Sequence, residues 1–139
     1  MDTKKRNITA SLLSAVVVSY WIYGQYGAVE MGDQVQVGQF LLTTMGVGML
    51  SNIVMVIVMS IVASILFGKG EKPVFDERDK LIELYVMRAI LVIFSLGFVI
   101  TLGLVGWYSL SANMALLVLF LCMYGANIVG DLVKLYWYR

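Results

Sequence analysis

The side chains best able to do chemistry crowd into one stretch, residues 71–88, which holds Asp76, Glu77, Arg78, Asp79, Lys80, Glu83 and Arg88. On a helix, the i, i+3, i+7 spacing of Asp76, Asp79 and Glu83 puts three carboxylates on one face, an arrangement a hard divalent cation could use. Lys80 falls within that face and no further oxygen ligand is evident, so a capped, solvated helix start is the favoured reading and no metal site is assigned. Elsewhere the usual reagents are missing. The chain has no histidine, which excludes imidazole general bases, Ser-His and Cys-His dyads and His-ligated metals. Its one cysteine, Cys122, lies in an apolar run, so it forms no intrachain disulfide and reads as a small core hydrophobe. An intramembrane enzyme would have to rely on Ser or Thr with Lys or Asp, and no such constellation stands out; neither enzymatic activity nor a cofactor is expected. The net charge of +1 carries no basic excess of the kind that would suit nucleic acid.

The remaining composition explains this scarcity. Of 139 residues, 60% are hydrophobic and 14% charged, whereas soluble domains run nearer about half and a quarter. Spanning a hydrocarbon core takes about 20 mostly apolar residues. Four runs meet that length, at about 8–26, 40–67, 86–108 and 110–130, and together they predict one all-α transmembrane domain over 1–139, an integral membrane four-helix bundle. All ten Lys and Arg residues lie before the first run, between the second and third or just inside the third, or after the fourth; the loop at 27–39 and the turn at 109–113 hold none. The positive-inside rule then places both termini in the cytoplasm, in the inner (cytoplasmic) membrane of a cell, with the lipid bilayer as the first partner. Tyr20, Trp21, Tyr23, Tyr26, Phe40, Trp107 and Tyr108 fit an outer aromatic belt, and Phe67, Phe75, Tyr85, Tyr136, Trp137 and Tyr138 an inner one. The first run is long, ends in aromatics and lacks a small-x-small cleavage site, so it reads as retained.

Helix starts and contacts follow from the same reading. Gly68 and Gly70 break the second helix, and Pro73 keeps the chain extended. Asp76 then caps a third helix whose first turn is crowded with Glu77 and Asp79, where free N–H groups and the helix dipole favour carboxylates. At 100° per residue, Asp76, Asp79, Lys80 and Glu83 share one face, and Leu81, Ile82, Tyr85 and Val86 occupy most of the other. The segment is amphipathic, so the third helix is expected to begin at the cytoplasmic surface and to enter the membrane near 86–89, with Arg88 snorkelling to lipid phosphate. Small residues recur every four positions at Ser11, Ala15 and Ser19 and at Thr44, Gly48 and Asn52. Gly97 and the pair Ala126 and Gly130 lighten the third and fourth spans, all suited to close helix contact. Three residues are candidate intramembrane polar contacts. Asn52, near the middle of the second span, needs an interhelical hydrogen bond; Asn127 and Asp131 share a face of the fourth, where Asp131 is expected to pair with Lys134.

The motif Asp76-Glu77-Arg78-Asp79, followed by Ile82 and Ala89, resembles one found in a group of small prokaryotic four-span membrane proteins of uncharacterised function. There an Asp-Glu-Arg-(Asp/Glu) motif leads from the second span into the third. Genes of that group often neighbour small helix-turn-helix regulators, and the resemblance implies a membrane component of a regulatory or efflux system. The residues themselves predict an accessory, sensory or regulatory membrane subunit. Asp76, Glu77, Arg78, Asp79, Glu83 and Arg88 would form the surface for a cytoplasmic or membrane protein partner. The alternative is a small homo-oligomeric channel or transporter lined by Asn52, Thr43, Thr44 and Ser51. The one-sided basic residues argue against an antiparallel, dual-topology dimer, and no carboxylate lies clearly within a span to couple protons.

Overall fold

Four helices account for almost all of residues 3–67 and 76–138, the part of the chain that the computed structural model describes. They are α1 (Thr3–Tyr26), α2 (Gln34–Phe67), α3 (Glu77–Tyr108) and α4 (Ala112–Trp137). Each is long and apolar enough to cross a membrane. At 1.5 Å per residue, α2 and α3 extend about 51 and 48 Å, well beyond the roughly 30 Å of hydrocarbon. The glycines and proline read as separating them, Gly68, Gly70 and Pro73, lie outside the described residues.

Helix ends follow capping chemistry more closely than hydropathy. α2 starts at Gln34, several residues before its apolar run, because the Asp33 carboxylate accepts from the N–H groups of Val35 (2.9 Å) and Gln36 (3.5 Å). α3 ends where Ser109 turns left-handed at φ 52°, and its N–H reaches back to the Leu104 carbonyl. α4 starts at Ala112 because Ser111 caps it, accepting from the Met114 N–H. It continues to Trp137, well past the end of its apolar run. Inside the helices, Thr44, Ser60 and Thr101 donate to the carbonyls of Phe40, Val56 and Gly97. Each hydroxyl is thus satisfied by its own helix, which lets it sit in an apolar span.

Two helical hairpins make up the fold. α1 packs against α2 and α3 against α4; the hairpins join where α4 meets both α1 and α2. Small residues set the closest approaches. A β-carbon added to Gly97 would sit 2.7 Å from Cys122 Sγ and 2.8 Å from Cys122 Cβ, and one on Gly130 would sit 2.7 Å from Ile90 Cδ1. Gly48 faces Val18 across the α1–α2 seam at 3.6 Å. Cys122 therefore packs as a core group, its sulfur free and its side chain half-buried. At the turn end of the hairpins, the Asn113 amide donates to the Met31 carbonyl at 3.0 Å and ties the 27–33 connection to the start of α4. The buried apolar residues, Ala10, Val18, Val37, Ile82, Val86 and Ala126 among them, are few. Leu42, Ile65, Met87, Val99 and many other large apolar side chains point outward, a surface that lipid solvates and water does not.

Candidate functional site

The charged stretch is organised around one carboxylate. Asp76 and Asp79 form a reciprocal capping box: the Asp76 side chain takes N–H groups of the first turn, including that of Glu77 at 2.7 Å, and Asp79 Oδ2 accepts from the Asp76 N–H at 2.9 Å. The same Oδ2 pairs with the Lys4 ammonium of α1, while Asp79 Oδ1 accepts from the Tyr138 hydroxyl at 3.0 Å, just past α4. Lys4 also lies 5.7 Å from the centre of the Tyr138 ring. Beside this latch, Tyr85 stacks on Trp137 with ring centres 5.8 Å apart, and Arg78 donates to the Trp137 carbonyl at 3.4 Å. One carboxylate thereby fastens an end of α1, the start of α3 and the end of α4. Asp79 precedes the apolar run that begins at Val86. The Lys4 ammonium first, then the Asp76 N–H and the Tyr138 hydroxyl, hold its carboxyl down at about 2, against a smaller opposing effect of burial.

Asp79 differs from the other charged residues of this stretch: it is buried, on the stripe of α3 that carries Ile82 and Val86 and not on a face shared with Asp76, Lys80 and Glu83. The reason is that Lys4, 75 positions earlier in the chain, is brought alongside it. Asp76, Glu77, Arg78, Lys80 and Glu83 remain exposed around the latch, and Arg88 is exposed one turn deeper with no acidic partner among the described residues. No three His, Cys, Asp or Glu side chains converge as a metal site among the described residues.

The three intramembrane candidates meet at a second place. Between α1, α2 and α4 lies a cleft of about 560 Å³, and Asn52, Asn127 and Asp131 all line it. Ser11 joins two of them, donating to Asp131 Oδ2 at 2.5 Å and accepting from the Asn52 amide at 3.4 Å. Asn52 thus has the interhelical partner expected of it. Asp131 does not: its partner is Ser11 of α1 and not Lys134, because α4 remains helical to Trp137 and carries Asp131 on the face turned to α1. Asn127 donates to the Met123 carbonyl of its own helix at 2.8 Å, which leaves its side-chain oxygen for the cleft. Further along, the Tyr124 hydroxyl donates to the Ala15 carbonyl and lies 3.1 Å from Ser19 Oγ. Of the other neutral residues considered as a path lining, Thr44 borders the cleft, whereas Thr43 is exposed and bonded to its own helix.

The sequence pointed to Ser11 only as a small residue in a packing stripe; its role as the hydroxyl joining a carboxylate to an amide depends on three helices meeting. No family model, no curated protein and no solved structure matches the chain.

Proposed function

We propose that the protein is a multi-pass accessory, sensory or regulatory subunit of the inner (cytoplasmic) membrane, with both termini cytoplasmic. In this reading the third helix emerges from the bilayer as an amphipathic extension. The surface around its start engages a cytoplasmic or membrane protein partner. The observation that carries the reading is the Asp79 latch. By fixing the ends of α1, α3 and α4 to one another, it makes a rigid platform on which Glu77, Lys80 and Glu83 stay exposed. The one-sided Lys and Arg residues support the orientation.

The test is photocrosslinking in native membranes from a photoreactive residue at position 83, with and without the exposed-charge reversals Glu77→Lys and Lys80→Glu. Attachment of one defined heterologous protein, lost on reversal at unchanged membrane abundance, is the expected result. Attachment only to further copies of the chain would overturn it and favour a homo-oligomeric channel or transporter. The cleft beside Asp131 is the observation in favour of that second reading. Its own check is Asn52→Leu, expected to abolish solute flux in liposomes while leaving the protein folded.

A further inference from the structure

We propose that the cleft between α1, α2 and α4 is a binding site for an amphipathic organic cation, with the cationic head against Asp131 and the apolar body toward Met45, Met49, Phe120 and Met123. The head end is set by the one charged group that lines the cleft. Asp131 is half-buried, receives a single hydroxyl hydrogen bond, from Ser11 to Oδ2, and has no basic side chain paired to it among the described residues. Asp131 lies just past the apolar run of the fourth span, half-buried between three helices, and a ligand cation supplies the compensating charge that none of the described basic side chains provides there. Asn52 and Asn127 flank it with amide groups that orient a polar head, and the Tyr124 and Phe120 rings, stacked at 6.4 Å, give the apolar body flat faces to pack on.

The remaining lining decides which cation fits. A hard inorganic ion requires roughly six or more oxygen ligands. The one carboxylate of the cleft is accompanied by the amides of Asn52 and Asn127 and by hydroxyls, of which those of Ser11, Thr44 and Tyr124 already donate within the protein; the rest of the lining is mostly methionine and other apolar groups. Methionine is soft and unbranched, and adapts to varied apolar shapes. The volume, about 560 Å³, lies within the range that encloses a drug-sized molecule. A neutral lipid chain would fill the apolar part and leave Asp131 uncompensated. The inference is independent of whether the protein acts as an accessory subunit or as a transporter, since binding is read directly and the exposed charges of α3 take no part in it.

The experiment is calorimetric titration of the full chain, purified in a mild non-ionic detergent, with tetraphenylphosphonium and with its neutral analogue triphenylphosphine oxide, after subtracting partition into empty micelles. Saturable binding of the cation, at least tenfold tighter than the neutral analogue, is expected. Asp131→Asn, which can still accept from Ser11, should weaken it at least tenfold with helical content and gel-filtration profile unchanged. Met123→Trp, which fills the apolar end without touching the carboxylate, should weaken it as well, and Glu83→Gln should leave it unaltered. Absence of saturable binding, equal affinity for the neutral analogue, or full affinity in Asp131→Asn would each overturn the site. Should Asp131→Asn not fold, unchanged affinity in Met123→Trp would do so.

Discussion

Adding one methyl group at Gly97 and at Gly130 should have different consequences, although the nearest atoms are equally close. At Gly97 the new β-carbon would meet Cys122 Cβ at 2.8 Å as well as Sγ at 2.7 Å. The sulfur can swing away about χ1, but Cβ is fixed to the backbone of α4. Reaching even 3.4 Å, where ordinary contact begins, would therefore require α3 and α4 to separate locally by about 0.6 Å. Overpacking of this kind costs about 1–3 kcal/mol, and a gap of that size forfeits a quarter or more of the dispersion energy of nearby atom pairs. Alanine returns up to about 1 kcal/mol over glycine as a helix former. Gly97→Ala should thus destabilise the protein by about 1–2 kcal/mol. At Gly130 the obstacles are Ile90 Cδ1 at 2.7 Å, Ile90 Cγ1 at 2.8 Å and Val86 Cγ1 at 3.3 Å, all side-chain atoms that can give way by a χ displacement of about 30° at about 0.5–1.5 kcal/mol. The same propensity gain offsets that cost, so Gly130→Ala should be close to neutral. Reversible unfolding in mixed micelles, followed by helical circular dichroism, measures both. A Gly97→Ala protein as stable as the parent, or a Gly130→Ala protein that loses more, would refute the reasoning that backbone-fixed atoms set the α3–α4 spacing.

Three other outcomes are expected. Because Asp79 titrates at about 2 in the folded chain, below the ordinary 3.8, its contribution is full above the ordinary value and is lost as pH falls toward 2; melting temperature should drop across that interval in the parent and much less in Asp79→Asn. Equal drops in both proteins would show that the latch does not contribute. Ser11→Ala removes a donor to Asp131 and an acceptor for Asn52, and should cost about 1–2 kcal/mol, more than Asn52→Ala, by the same unfolding assay; the reverse order would show that Ser11 is not the joining group. For the Tyr85–Trp137 stack, a double-mutant cycle to alanine should yield a coupling of about 0.5–1.5 kcal/mol, and strictly additive losses would place the ring pair outside the energetics.

The sequence made the number and type of the helices legible, because an apolar run of span length admits few other structures in lipid. Helix ends were less accessible. Asn7, Gln34, Gln36 and Lys134 are all helical although they lie outside the apolar runs, whereas the start of α3 was legible from its cap, Asp76, and its acidic first turn. Hydropathy reports which residues tolerate lipid, and helicity continues for as long as caps and neighbouring helices satisfy the backbone. The candidate polar residues were legible by type. What Asp79 and Asp131 pair with was not, since Lys4 and Ser11 lie 75 and 120 positions away and no periodicity relates them. Local spacing offered Lys134 as the partner of Asp131, and tertiary packing supplied Ser11 instead. Gly97 was readable as a point of close approach, while its counterpart Cys122 emerges only from the way the α3–α4 hairpin is aligned.

The hairpin pairing bears on biogenesis. Each hairpin contains its own extensive interface, and the seam between the two runs along α4 against α1 and α2. Two halves made from separate messages, divided within residues 68–75, would each carry a complete helical pair, and co-expression of the two should restore the full chain's unfolding profile. They would find one another afterwards through the Lys4–Asp79 and Ser11–Asp131 contacts, both of which cross the cut. The chain thus has the organisation of a protein in which forming each hairpin and docking the two are separable steps.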